Sequence, residues 1–344
     1  MHRKNVLRLV CCFVGAVIGA GFASGQELLT FFVRYGTRSF LPLVLAGALF
    51  GIYGVVMLRN IHLRNAQSLT GYFSGTAGRG ICAIMETVVY AFMFASFCVM
   101  VSGTGALLQQ AFNLPLWVGA TGMAALCFVL FCCGAQGVVH ANTVLTPLLI
   151  LGMLAVAIPV LLGSQPAFLP FENQPVAAFS SALLYVSYNT LTLIAVFLPL
   201  RHLIDSGRTA IASGIISGAI LSGLLVILWL LLQQNFELVS SLEIPMLAIA
   251  QQTGRAARPI YSVVLLLAMI TTAVSSGFGF LCRINHALPR PALAAILCGV
   301  SIPLAFVGFS RLVEYLYTFF GYAGLFLFFY TLLDGLPRKN HPFG

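Results

Sequence analysis

From end to end the chain repeats one pattern: apolar runs of about twenty residues, divided by short polar connectors. About 20 mostly apolar residues is the length that carries an α-helix across a bilayer. On that measure ten transmembrane helices are predicted, at roughly 5–33, 39–58, 81–112, 115–133, 137–162, 176–200, 208–234, 258–283, 291–309 and 311–333. Of 344 residues 60% are hydrophobic and only 7% charged, where a soluble domain carries roughly 25% charge. The fold class is therefore all-α integral membrane, with little of the chain outside the lipid. The net charge of +9 is read as lysine and arginine that hold loops on the cytoplasmic side. The expected partners are the lipid bilayer and a small molecule, with no nucleic acid; the oligomeric state is left open.

The first run is unlike the others. Phe13–Phe32 reads FVGAVIGAGFASGQELLTFF, and its middle gathers Gly15, Gly19, Gly21 and Gly25 with Ser24, Gln26 and Glu27. A broken helix survives in lipid only where protein or a water-filled cavity receives its freed N–H and C=O groups. Transporters place binding sites at such breaks. Residues 19–25 are predicted to be the unwound joint of a discontinuous first helix. A second reading makes the glycines a packing surface, because Gly15–Gly19 and Gly21–Gly25 have the spacing that lets helices approach closely. Ser24 and Glu27 also fit a capping box that would restart the helix. The sixth run is interrupted in a similar place by YVSYNT, with Tyr185, Ser187, Tyr188 and Asn189 as its polar and aromatic members.

A loop with Pro166, Pro170 and Pro175 divides the chain into near-equal halves, 1–165 and 166–344. Five helices followed by five form an inverted repeat, because an odd number sends the second half into the membrane upside down. Helices one and six are then partners, as are three and eight. This repeat rests on hydropathy and position. Arg3, Lys4, Arg8, Arg59, Arg64, Arg79, Arg201, Arg208, Arg283, Arg290, Arg338 and Lys339 fall on one side, against Arg34, Arg38, Arg255, Arg258 and Arg311 on the other. The bias puts both termini in the cytoplasm, in a bacterial inner membrane. The N-terminus imitates a signal peptide, but the apolar run resumes at once with LLTFFV, so cleavage is not expected.

Few other groups carry chemistry. Glu86 lies in the third run with Tyr90 one turn further on the same face. An ionisable group in a spanning segment is a functional candidate; the plainer reading pairs Glu86 with Arg79. Arg311 and Glu314, three apart, are expected to pair at the outer surface. The nine cysteines form no C-x-x-C pair and read as small apolar fillers. His140, His202 and His286 have no metal spacing. No nucleophile–base pair, H-E-x-x-H or G-x-S-x-G string occurs. An enzyme is therefore not expected, nor a cofactor beyond a candidate sodium ion.

The string GAVIGAGFASG at 15–25 resembles the first-helix signature of the amino acid–polyamine–cation superfamily, which has the LeuT-like fold. The longer VIGAGFASGQE is similar to YkvI-type bacterial membrane proteins, a branch of amino acid permease-like sequences. The resemblance covers nearly the whole chain and implies broken helices 1 and 6. By its implication the backbone amides of Gly19, Ala20 and Gly21 meet a substrate carboxylate, with Phe22 and Ser24 close by. It further implies a sodium site from the carbonyls of Gly15, Ile18 and Thr272 and the hydroxyls of Ser275 and Ser276. Phe22 stands where relatives with a second sodium carry asparagine, which argues against a second ion. The sixth helix lacks the relatives' glycine, and Ser187, Asn189 and Thr190 are expected to satisfy its open backbone. The function implied is secondary active transport of a small amino acid or related zwitterion, coupled to sodium or protons by alternating access. The alternative is a receptor, channel or regulatory protein that retains the fold without transport.

Overall fold

The structure, a computed structural model, describes residues 3–73, 78–133, 138–163, 175–282 and 289–334. Among these every regular element is a helix. The first span is built from α1 (Arg3–Val17), α2 (Ala20–Ser24) and α3 (Gln26–Phe31), closed by a 3-10 stretch, Val33–Ser39. Then follow α4 (Phe40–Arg64), α5 (Leu69–Phe73), α6 (Arg79–Phe112), α7 (Leu116–Cys133), α8 (Val138–Gly163), α9 (Pro175–Phe197) and α10 (Gly207–Gln234). Two short helices, α11 (Phe236–Val239) and α12 (Pro245–Thr253), lie in the long loop before α13 (Ala257–Leu281). The chain ends with α14 (Arg290–Ala305), α15 (Phe309–Leu312), a π-turn at Val313–Tyr317, and α16 (Thr318–Asp334).

Among the described residues eight helices are long and apolar enough to cross a membrane. Two of the ten expected spans fall short by length. The first is interrupted, and the ninth, α14, has 16 residues. The proline loop with Pro166 and Pro170 lies outside the described residues, as do Arg283, His286, Arg338, Lys339 and the side chain of His140.

The first span breaks, but not as one unwound joint over 19–25. α1 stops at Val17, and Gly19 is extended at φ −76°, ψ −178°. Ala20–Ser24 then complete one helical turn, and Gly25 adopts φ 85°, a left-handed conformation suited to glycine. Two breaks thus bracket a short turn. The expected break in helix 6 is absent, and that expectation is corrected: α9 runs helical from Pro175 to Phe197. Its interior holds neither glycine nor proline. Its polar side chains bond their own helix instead: Ser187 Oγ donates to the Leu183 carbonyl at 2.7 Å, Asn189 Nδ2 to Tyr185 at 2.9 Å, and Thr190 Oγ1 to Ser187 at 2.6 Å. Such back-bonding leaves the helix intact.

Two packing groups flank the broken span. α1, α4, α9 and α10 pack on one another, and α6, α7, α13 and α14 form the other group. The tightest seam is α4 against α10. Gly47, Gly51 and Gly54 on α4 face Gly214, Gly218 and Ser222 on α10, and a Cβ built at Gly218 would stand 2.5 Å from the Gly51 Cα. Lipid gives apolar side chains no reason to leave it, so helices in a bilayer associate by close packing of small residues.

The rims are polar. At one, Arg34 reaches Glu314 at 2.6 Å, Gln110 brackets Ile244 through its amide (3.0 Å) and carbonyl (3.1 Å), and Glu243 accepts from the Ser310 amide at 2.6 Å. At the other, Arg64 pairs with Asp334 and His62 Nδ1 lies 2.9 Å from the Ile204 carbonyl. Glu314 therefore pairs with Arg34, not with Arg311. It sits inside the π-turn, whose wider winding departs from the spacing that makes residues three apart neighbours.

The α4–α10 seam yields a clear expectation. Gly218→Leu should cost about 1–3 kcal/mol or more through overpacking and lower the thermal midpoint of the purified protein. Gly223→Leu on the same helix, where an added Cβ meets nothing within 4 Å, should leave it unchanged.

Candidate functional site

The site grows from the two breaks. A helix end in lipid must find partners for its open backbone groups, and here neighbouring helices supply them. Tyr261 of α13 donates to the Ala23 carbonyl at 2.5 Å, Ser181 of α9 to Phe31 at 2.7 Å, and Gln233 of α10 to Val33 at 2.9 Å. Trp229 Nε1 of α10 donates to Ser39 Oγ at 2.8 Å. α12 closes over Gly25, where an added Cβ would lie 3.1 Å from Met246 and 3.2 Å from Pro245.

Ser24 and Glu27 do not form the expected capping box. Ser24 is the last residue of α2; its hydroxyl donates to the Gly21 carbonyl at 2.8 Å and accepts from the Gln26 amide at 3.2 Å. Gly25, with no side chain to cap with, holds the N-cap of α3. Glu27 is thereby free to turn inward. Its Oε2 accepts a 2.7 Å bond from the Tyr188 hydroxyl. Its Oε1 rests over Gly21, where any Cβ would collide with it. Glu27 is 4% exposed. The ion pairs among the described residues, Arg34–Glu314 and Arg64–Asp334, do not include it.

Aromatic rings enclose this carboxyl. The Tyr188 ring lies 5.6 Å from Tyr185, 5.6 Å from Phe31, 6.0 Å from Phe92 and 4.7 Å from Tyr317, centroid to centroid. Tyr317 ends the π-turn, a feature frequent at functional sites. On the other side of the break Gly19 is half-buried and has open space beside it: an added Cβ meets nothing within 4 Å.

The expected residues separate into those the structure gathers and those it does not. Gly21, Ser24, Gln26 and Glu27 share the joint, and Tyr185 and Tyr188 face it from α9. Ala20 and Phe22 are buried in the α2 turn. Of the expected amide donors, Gly19 already bonds the Val17 carbonyl at 2.9 Å, whereas Ala20 and Gly21 open a helical turn and have no partner within it. Ser187 and Asn189 serve their own helix. The α6 ring that meets Tyr188 is Phe92; Glu86 is buried on that helix and Tyr90 half-buried one turn beyond it. The two halves of the candidate sodium set have different neighbours. Gly15 faces Thr146 of α8, and the Ser276 hydroxyl donates to Ser96 of α6 at 3.2 Å. α13 meets the first span chiefly at α2, above Gly15 and Ile18. Thr272 and Ser275 are half-buried beside Ser276. Tyr261, Ser181, Gln233 and Tyr317 were not predicted. Each stands among other polar or aromatic residues of its run, and nothing local in the sequence sets it apart from them.

A helical membrane protein whose first span breaks twice between two packed helix groups defines the class: the chain has the LeuT-like fold. Its likenesses agree. The chain is 26% identical to the uncharacterized membrane protein YkvI of Bacillus subtilis, covering 98% of both chains. It is also 26% identical to the uncharacterized protein YyaD of the same organism, over 97% of this chain and 98% of the relative. Among solved structures it superposes on MhsT in complex with L-phenylalanine with a TM-score of 0.68 at 17% identity, covering 97% of this chain and 92% of that one. A mutant of the Eremococcus coleocola manganese transporter gives a TM-score of 0.66 at 15% identity, covering 96% and 80%. No protein-family profile matches the chain.

Tyr261 ties α13 to the joint by one bond. Tyr261→Phe would leave the buried Ala23 carbonyl unsatisfied, at a cost of about 1–3 kcal/mol. A lower unfolding midpoint is expected from differential scanning calorimetry, while Tyr315→Phe, at an exposed ring, should match the parent protein.

Proposed function

We propose that this chain is a secondary active transporter, moving a small amino acid or related amine-bearing zwitterion through the break in its first span. The observation that carries the reading is the joint itself: a buried carboxyl outside the described ion pairs and two buried side-chain oxygens without partners, Gln26 Oε1 and the Tyr185 hydroxyl, with rings on one side and open space at Gly19 on the other. Buried polar groups without partners are costly to keep, and a site that binds cargo is a reason to keep them. The superposed structures support the reading through their fold; one is MhsT with bound L-phenylalanine and another a manganese transporter.

In this reading the halves 1–165 and 166–344 are inverted repeats. The group of α1, α4, α9 and α10 rocks against the group of α6, α7, α13 and α14, exposing the joint to each side in turn. The termini lie in the cytoplasm of a bacterial inner membrane, where the Arg64 rim follows the positive-inside bias. Coupling is to a sodium or proton gradient, with Gly15, Ile18, Thr272, Ser275 and Ser276 as the sodium ligands and Glu86 as the proton carrier to be compared. The chain acts without ATP or an organic cofactor.

Purified protein in liposomes should accumulate a labelled amino acid or amine against its gradient when sodium or protons are supplied on one side. No gradient-driven uptake of any such solute would contradict the proposal. Gly21→Ala should push the Glu27 carboxyl out of place and lower uptake about tenfold with the protein still monodisperse.

A further inference from the structure

We propose that the joint recognises its cargo through a protonated amine, with Glu27 as the counter-charge, and that a carboxylate on the cargo is not required. This rests on the reading that the broken first span holds the cargo. Three observations point the same way. First, Glu27 is buried with no cation beside it: Tyr188 and Tyr185 face it from α9 and Tyr317 from the π-turn, and both described ion pairs are elsewhere. A buried carboxylate is retained when a positive charge meets it, and the ion pairs among the described residues bring none to this place.

Second, the unpartnered side-chain oxygens at the joint can take hydrogen-bond donors. Glu27 Oε2 accepts one bond, from the Tyr188 hydroxyl. The Gln26 Oε1 atom and the Tyr185 hydroxyl oxygen are both buried without a partner. The first is an acceptor only, and the second accepts as well as donates. An ammonium group brings three donors and no acceptor. A cargo carboxylate brings only acceptors, and the place beside Gly21 that it would take is already filled by the carboxyl of Glu27. Two carboxylates there would repel.

Third, the walls suit a cation. Tyr185, Tyr188 and Tyr317 lie beside the carboxyl and Phe31 packs on the first two; aromatic faces attract an ammonium placed over them. An acidic group within an aromatic cage is selective for positive nitrogen over neutral or anionic solutes.

The test uses the full chain in lipid nanodiscs and matched probes that share a skeleton: phenethylamine, phenylalanine and 3-phenylpropionate, then isoamylamine, leucine and 4-methylpentanoate. Ligand-dependent thermal stabilisation gives an affinity for each. The amines should bind at least as well as the corresponding amino acids, and the carboxylates should not bind. Glu27→Gln should weaken amine binding about a hundredfold or more. Tyr185→Phe, which keeps the ring and removes only the hydroxyl, should weaken it about two- to tenfold and decides the matter if the first variant does not fold. Binding of the amino acids without the amines, unchanged amine affinity in both variants, or no amine binding at all would overturn the proposal. Gradient-driven amino acid uptake that survives Glu27→Gln would overturn this inference and leave the transporter reading standing. Amine binding that depends on Glu27, with no uptake of any solute, would do the reverse.

Discussion

A peptide bond cannot be left bare in hydrocarbon. That constraint governs this molecule, because its first span gives up helical bonding twice, at Ile18–Gly19 and at Gly25. Three other helices donate to carbonyls along this span: Tyr261 to Ala23 just before the second break, and Ser181 to Phe31 and Gln233 to Val33 where α3 ends. Those donors come from α13, α9 and α10, so both packing groups hold the joint. Movement between the groups must strain or exchange these bonds, which makes the joint the place where motion and binding are felt together.

The fold was legible because a bilayer imposes so few solutions. Run length and hydropathy located the spans, and four glycines within eleven residues marked the broken one. The details of the break were less legible. The glycines predict an unwound stretch over 19–25, yet Ala20–Ser24 close one turn between Gly19 and Gly25. YVSYNT was read as a second break, yet hydroxyl and amide side chains can bond a carbonyl one turn back and leave the helix whole. Polarity in the middle of a span signals unusual hydrogen bonding. It does not say whether the backbone or only the side chains depart from the rule.

The site was legible in part for a similar reason. Glu27 and Tyr188 were both singled out, but their meeting was not, since 161 residues separate them. The capping-box spacing of Ser24 and Glu27 offered a local explanation that the left-handed Gly25 removes. Arg311 and Glu314 showed the same weakness of local spacing: the true partner, Arg34, lies 280 residues away. The small-residue seam is legible in the sequence as Gly47-x-x-x-Gly51 and Gly214-x-x-x-Gly218. Both motifs press α4 and α10 together, while in the first run Gly19 and Gly25 serve the bends and Gly15 and Gly21 admit Thr146 and Glu27.

The account rests on a first span that is open in mid-membrane. Hydrogen–deuterium exchange of the protein in nanodiscs, resolved across residues 10–32, addresses this directly. Fast exchange at the amides of residues 19–22, between slowly exchanging flanks in α1 and α3, is the expected result. Uniform protection from Phe13 to Phe31, as in an unbroken and dry helix, would contradict it.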